Sequence, residues 1–300
     1  MPEINRRDVQ GLVATGYGSL NCATYLLLAV DDAASARSWL GVHLDDVASA
    51  YGRAEPTATN VAFTTTGLQK LGLASALTSA FSFEFNEGIV SPHRSRILGD
   101  VDESDPAAWQ WGGPTTDPVD LLLLLFATDA AELAKHEASY TQSLTNSGMH
   151  LLRRLETQPL RVEENFGFHD GISQPSIDGL SRAVRPGDVV KTGEFLLGYP
   201  NEYDLYTGRP LLARNAASAG LLPAAADVSS QGDLGANGTY LVFRQLEQDV
   251  RGFWSFLDAV ARDAAGNSDA AERVRLGAKM VGRWPGGAPL VVSDHDDAAL

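Results

Sequence analysis

Residues 165–179 read NFGFHDGISQPSIDG and bring together the residue types in this 300-residue chain best suited to moving a proton. Gly167 and Gly171 bracket the His169–Asp170 pair, with Phe166 and Phe168 alongside. Glycine tolerates left-handed backbone angles and lets the main chain approach a flat ligand closely. A carboxylate among aromatic rings is disfavoured as an anion, which raises its proton affinity and suits acid–base transfer. The same residues equally make an ordinary Gly-Asp-Gly turn closed by an aspartate hydrogen bond. Residue type alone leaves both readings open.

Other candidates carry less. The histidines are His43, His93, His136, His150, His169 and His295. His169 adjoins Asp170, so the two cannot readily serve opposite faces of one planar ligand. His295 lies in the acidic tail SDHDD, a solvated turn by composition. His136 falls on the polar side of a helical pattern, His43 and His93 near helix ends, and His150 at a strand start. None is expected to bind a metal. His93 with Arg94, Arg96 and Asp100 reads as a solvated patch of mixed charge. Cys22, the single cysteine, excludes an intrachain disulfide or a multi-cysteine metal site. It lacks the cationic neighbours that activate a thiolate, and is expected at a buried strand edge. Trp39 and Trp254 read as core residues; with Trp109, Trp111 and Trp284 they are also the side chains able to relay radicals. GxSxG, HExxH and paired-cysteine motifs are absent, which argues against common hydrolase and zinc chemistries.

The composition bounds what surrounds these residues. Hydrophobic residues make up 44% and charged residues 20%, enough apolar material for a packed core. With 23 Lys and Arg against 38 Asp and Glu, the net charge is −15. That charge disfavours nucleic acid and anionic lipid as partners. The longest apolar run, residues 121–127, is too short to span a bilayer, and the polar N-terminus has no apolar leader. A cytoplasmic setting is expected.

Three segments share one plan of apolar strand, acidic residue and amphipathic helix. They are ATYLLLAV (residues 23–30) with Asp31 and Asp32, VDLLLLLFA (119–127) with Asp129, and TYLVFRQL (239–246) with Asp249. Each acid stands where a helix N-cap belongs. Asp129 and Glu132 have capping-box spacing. In the third helix Val250, Phe253, Trp254, Leu257, Val260 and Ala261 share one face at the helical period and are expected to form core. Further strands are expected at residues 59–64, 149–157 and 194–199, and a helix over residues 269–282. Residues 182–193 and 216–237 read as long loops. The order gives an α+β fold of split βαβ halves, the ferredoxin-like arrangement, with residues 1–157 as the first domain and 158–300 as the second. The second half is short of returning strands.

FGFHDGISQP resembles the GxxDG signature of dye-decolorizing (DyP-type) peroxidases, with Gly167, Asp170 and Gly171 matching. Residues 8–32, 193–203, 237–254 and 280–290 resemble other stretches of that family in the same order. The resemblance implies two ferredoxin-like halves, with haem b in the second, C-terminal half. It implies Asp170 as the distal acid–base residue, shuttling a proton between the two oxygens of hydrogen peroxide. Gly167, Phe168, Gly171, Ile172, Ser173 and Gln174 would line the haem. The oxidised cofactor would then draw single electrons from dyes, phenols or other small reductants.

One departure limits this expectation. The family's proximal histidine stands in an HIRRxNPR segment and its distal arginine in an ILRRG-like strand, and neither occurs here. Arg244, in YLVFRQL, belongs to a different family segment. The chain is therefore expected to be an incomplete peroxidase, a truncated product or one half of a split enzyme, with a complementing C-terminal segment or a homo-oligomer as the expected partner. The alternative is a non-catalytic structural or assembly module that keeps the fold and binds no haem.

Overall fold

The computed structural model describes residues 3–14, 16–157, 163–172, 174–181, 187–214, 221–263 and 265–293. The chain packs as two compact units: Met1–Pro159 with Pro175–Leu241, and Leu160–Gln174 with Val242–Leu300. The grouping thus differs from a single cut after residue 157, because residues 175–241 cluster with the N-terminal segment.

The first unit is built on strands β1 (Cys22–Val30), β2 (Thr57–Phe63), β3 (Leu121–Ala127) and β4 (Met149–Glu156). Helix α1 (Ala33–Val42) follows β1, and α2 (Ala130–Ser143) follows β3. The sheet order β2-β3-β1-β4, antiparallel throughout, is that of a ferredoxin-like βαββαβ unit. Strand period dictates the core. Leu26, Leu28 and Val30 point one way, as do Leu121, Leu123 and Leu125, and meet Ala36, Trp39, Tyr140 and Leu144 of the two helices. Leu27, Leu122 and Leu124, on the opposite face, are buried as well. Strands covered on both sides lose their polar alternation, which is why β3 reads as an unbroken apolar run. At about 1.5–3 kcal/mol per fully buried large aliphatic side chain, this sheet holds much of the unit's apolar stabilisation.

The caps form where expected. Asp32 Oδ2 accepts the Ser35 amide at 2.8 Å, and Asp129 Oδ1 accepts the Ala131 and Glu132 amides, both at 2.9 Å. The fully buried Asp120 ties strand ends together: its Oδ2 accepts the Val30 amide at 2.8 Å and the Lys70 ammonium at 2.6 Å. At the sheet border, β4 carries charge. Arg154 pairs with Glu137 and Glu156, and Arg153 donates to Gln110 at 2.7 Å.

Two expected strands are corrected. Residues 194–199 are not a strand: a short 3-10 turn, Thr192–Glu194, leads into a loop that buries Leu196 and Tyr199 beside Val9, Ala50, Ile177 and Leu180. A short apolar run signals burial, not ladder pairing, and the positive φ of 88° at Gly198 turns the chain. Residues 239–246 are likewise outside every sheet of the described residues, with Leu241, Val242 and Leu246 exposed. β-branched and aromatic composition supplies propensity, but a strand exists only beside a partner.

The second unit contains α3 (Val250–Val260) and α4 (Ala270–Val281), capped by Asp249 and Asp269. Its core joins Phe168, Ala278, Trp284 and Ala288, with Phe166, Phe253, Trp254, Val274 and Leu290 against it. Leu257 and Ala261 are buried as the helical period predicts. Val260, expected in the same core, is instead 50% exposed, because α4 and the 166–168 loop cover only part of that face. No described helix is long and apolar enough to cross a membrane.

Candidate functional site

The GxxDG loop is shaped by local hydrogen bonds. Glu164 accepts the Phe166 amide at 2.8 Å and the Phe168 amide at 2.9 Å through its two carboxylate oxygens. Its main chain pairs with Phe168 O and Gly167 N, both at 2.9 Å. Gly167 at φ 89° and Gly171 at φ 72° occupy the left-handed region that other residues enter only at a cost. Phe168, 2% exposed, stacks on Trp254 with ring planes 3° apart, and Phe166 packs edge-on to Phe253. Trp254 Nε1 donates to Phe166 O at 3.2 Å. The His169 amide donates to Pro285 O at 2.9 Å, which holds the chain one residue before the acid.

Asp170 projects from this anchored base. It is exposed, and its Oδ1 accepts the Gly171 amide at 2.6 Å. The aromatic neighbours therefore do not enclose it: they turn inward while the acid turns out, which fits the turn reading of this segment and not the apolar-pocket reading. Gly167, Gly171 and Gln174 are also exposed, Ile172 is half-buried and Phe168 is core. Ser173 lies outside the described residues. The anchoring roles of Glu164 and Pro285 escaped the sequence reading. Their bonds run to main-chain atoms, which hydropathy patterns do not register.

Two cavities lie elsewhere. One of about 570 Å³ is lined by Arg6, Arg7, Tyr51 and Asp178, and one of about 530 Å³ by Trp39, His43 and Ser143. Neither touches Asp170.

Three histidines have side-chain partners in the first unit. His43 pairs with Asp46 at 2.7 Å, His150 with Asp31 at 2.6 Å and His136 with Thr59 at 2.9 Å. Burial pushes the His136 imidazole below its ordinary pKa, although its hydrogen bond to the Ala58 main-chain carbonyl opposes the shift. His295 lies outside the described residues, and no cluster able to hold a metal ion occurs among those described. The patch around His93 is not uniformly solvated: Arg94 bridges Glu84 and Glu87, while Asp100 is buried. Cys22 is only half-buried, at the start of β1.

Among the described residues, Asp170 is an exposed acid on a loop anchored through Glu164, Phe168 and Pro285.

Comparison with protein-family profiles gives no match. Individual proteins do match. A dye-decolorizing peroxidase of Mycena epipterygia is 33% identical over 248 residues, covering 80% of this chain and 40% of that protein. A dye-decolorizing peroxidase of Mycetinis scorodonius is 29% identical over 96% of this chain and 52% of its own length. The crystal structure of a fungal DyP-type peroxidase from Auricularia auricula-judae superposes with a TM-score of 0.75 at 26% identity, over 99% of this chain and 60% of that one. Its matching curated relatives and structural neighbours are thus dye-decolorizing peroxidases. The chain spans about half the length of the curated DyP relatives it matches. The DyP superposition bears out the mixed α+β fold, and the β2-β3-β1-β4 sheet supplies its ferredoxin-like unit.

Proposed function

We propose that this chain forms the acid-bearing part of a DyP-type haem peroxidase that oxidises dyes and phenols one electron at a time with hydrogen peroxide. The observation that carries the reading is Asp170 itself: a carboxylate turned outward on a loop whose base is fixed by Glu164, Phe168 and Pro285. An acid so placed takes a proton from one peroxide oxygen and returns it to the other, so that the O–O bond breaks and water leaves. Haem b, the cofactor of this reading, supplies redox chemistry that side chains lack. Its axial histidine and enclosing walls would correspond to the part of the DyP relatives that this chain does not span. The cytoplasm is the compartment of this reading, in keeping with the free Cys22.

Haemin titrated into the chain alone is expected to give no defined Soret band and negligible dye oxidation. Adding the unmatched part of the Mycena epipterygia relative is expected to bring both. A sharp histidine-ligated spectrum with turnover from the chain alone would overturn the need for a second part. In the complemented enzyme Asp170→Asn is expected to retain haem and slow turnover by about 10²–10⁴-fold, the usual loss for a positioned acid–base group. Unchanged turnover removes Asp170 from the chemistry.

The exposure of Asp170 favours one other reading, a non-catalytic module that keeps the fold without haem. That reading expects cooperative unfolding unaffected by haemin, with or without the second part.

A further inference from the structure

The loop bearing Asp170 rests on a second turn of the same unit, residues 284–288 (WPGGA). This turn is closed by the Gly287 amide donating to Trp284 O at 2.8 Å and the Trp284 amide to Ala288 O at 2.9 Å. Arg283 Nη1 donates to Gly287 O at 2.9 Å, and Trp284 Nε1 to Ser293 O at 2.7 Å. Trp284 and Ala288 are buried at 5% and 3% exposure, so the turn is built into the core and not draped over it.

Its outer surface meets the acid loop on both sides of Asp170. Pro285 O takes the His169 amide at 2.9 Å. Gly287 lies directly under Ile172: a Cβ at position 287 would overlap Ile172 Cδ1 and stand 3.3 Å from His169 Cβ. Gly287 has φ 99°, a left-handed angle that favours glycine, and its open Cα lets the Ile172 tip rest on the turn.

We infer that Gly287 is a positioning residue for Asp170. The inference rests on the reading of Asp170 as the proton-transfer group, but its geometry stands apart from it. Among the described residues the Asp170 carboxylate accepts the adjacent Gly171 amide, a bond that moves wherever the loop moves. Among the described residues the loop is seated at Phe168, Pro285 and Gly287. A side chain at 287 strains the left-handed backbone there and displaces the Ile172 tip and His169 Cβ that rest on the turn, disturbing the seat of the Asp170 loop. Displacements of about 1 Å in a reacting group cost on the order of 10²-fold in rate.

The test reads both the loop and the reaction. In the chain alone, Gly287→Ala is expected to shift the amide resonances of residues 169–172 and to speed hydrogen exchange at Gly171, at temperatures well below unfolding. Adding Ile172→Val, which removes the overlapping methyl, is expected to return these signals part of the way; the left-handed strain at 287 remains. In the complemented enzyme, Gly287→Ala is expected to lower kcat about 10–100-fold. The KM for the reducing dye should stay unchanged, and Ile172→Val should partly restore kcat. Should Gly287→Ala fail to fold, Ile172→Ala reads the same contact from the loop side and is expected to speed exchange at Gly171. Resonances at 169–172 that stay in place in these variants overturn the inference. Shifted resonances together with an Asp170→Asn enzyme of normal turnover would leave the platform standing and remove the catalytic reading.

Discussion

The two units use the same amphipathic helices to different ends. In the first, α1 and α2 lie on the sheet, and Trp39, Tyr140 and Leu144 close over Leu26, Leu123 and Leu125. In the second, α3 and α4 cover Phe168, Ala278 and Trp284, yet Phe256, Val260, Met280 and Val281 stay at least half exposed. Helical periodicity specifies which residues face one way; it does not specify how much surface arrives to cover them. The unit with a sheet holds the larger buried core, and the unit without one among its described residues holds the acid.

That contrast is easiest to break in the first unit. Leu125→Ala, at a fully buried central position, is expected to cost about 2–5 kcal/mol, read as a fall in the urea midpoint. A loss below about 1 kcal/mol would show that the sheet is not the stability centre. Asp120→Ala comes next, at about 1–3 kcal/mol, because the Val30 amide and Lys70 lose their acceptor. Asp120→Asn should recover part of this through its remaining oxygen.

A smaller effect is expected from pH. Burial lowers the pKa of His136, so the unfolded chain takes up a proton more readily than the folded one as acidity rises. The stability this histidine contributes is present above its unfolded value and is lost as pH falls through the folded value. Melting temperatures followed from about pH 7 to about pH 5 should therefore fall, and fall less steeply in His136→Gln. An equal slope in both proteins assigns the acid sensitivity elsewhere. The smallest change is expected at Phe256→Ser, within about 0.5 kcal/mol of the parent, since the ring is already 58% exposed. The same substitution should reduce binding of an apolar fluorescent dye if the uncovered helix face lies in the second unit.

The legible parts of the sequence were those governed by period and by local capping. Apolar runs gave β1 and β3, and Asp32, Asp129 and Asp249 marked the helices after them. Residues 239–246 misled because β-propensity was taken for β-pairing, which depends on a distant neighbour. At the acid, Gly167 and Gly171 correctly signalled left-handed turns. The inward rotation of Phe166 and Phe168 was hidden, because an aromatic residue next to an acid in sequence can point to the opposite side of the chain. The seat under Ile172 was hidden for another reason: it joins residues more than a hundred positions apart, and its key residue has no side chain to advertise it.

The charged rim of β4 has a consequence for concentrated solutions. A sheet whose middle strands are this greasy would, with a bare border, invite end-to-end stacking of molecules into ribbons. Arg153, Arg154 and Glu156 make that border a poor template, because an incoming strand would have to strip water from ionic groups before it gained any main-chain bond. Neutralising those three positions together is the shortest route from a clear sample to a fibrous one.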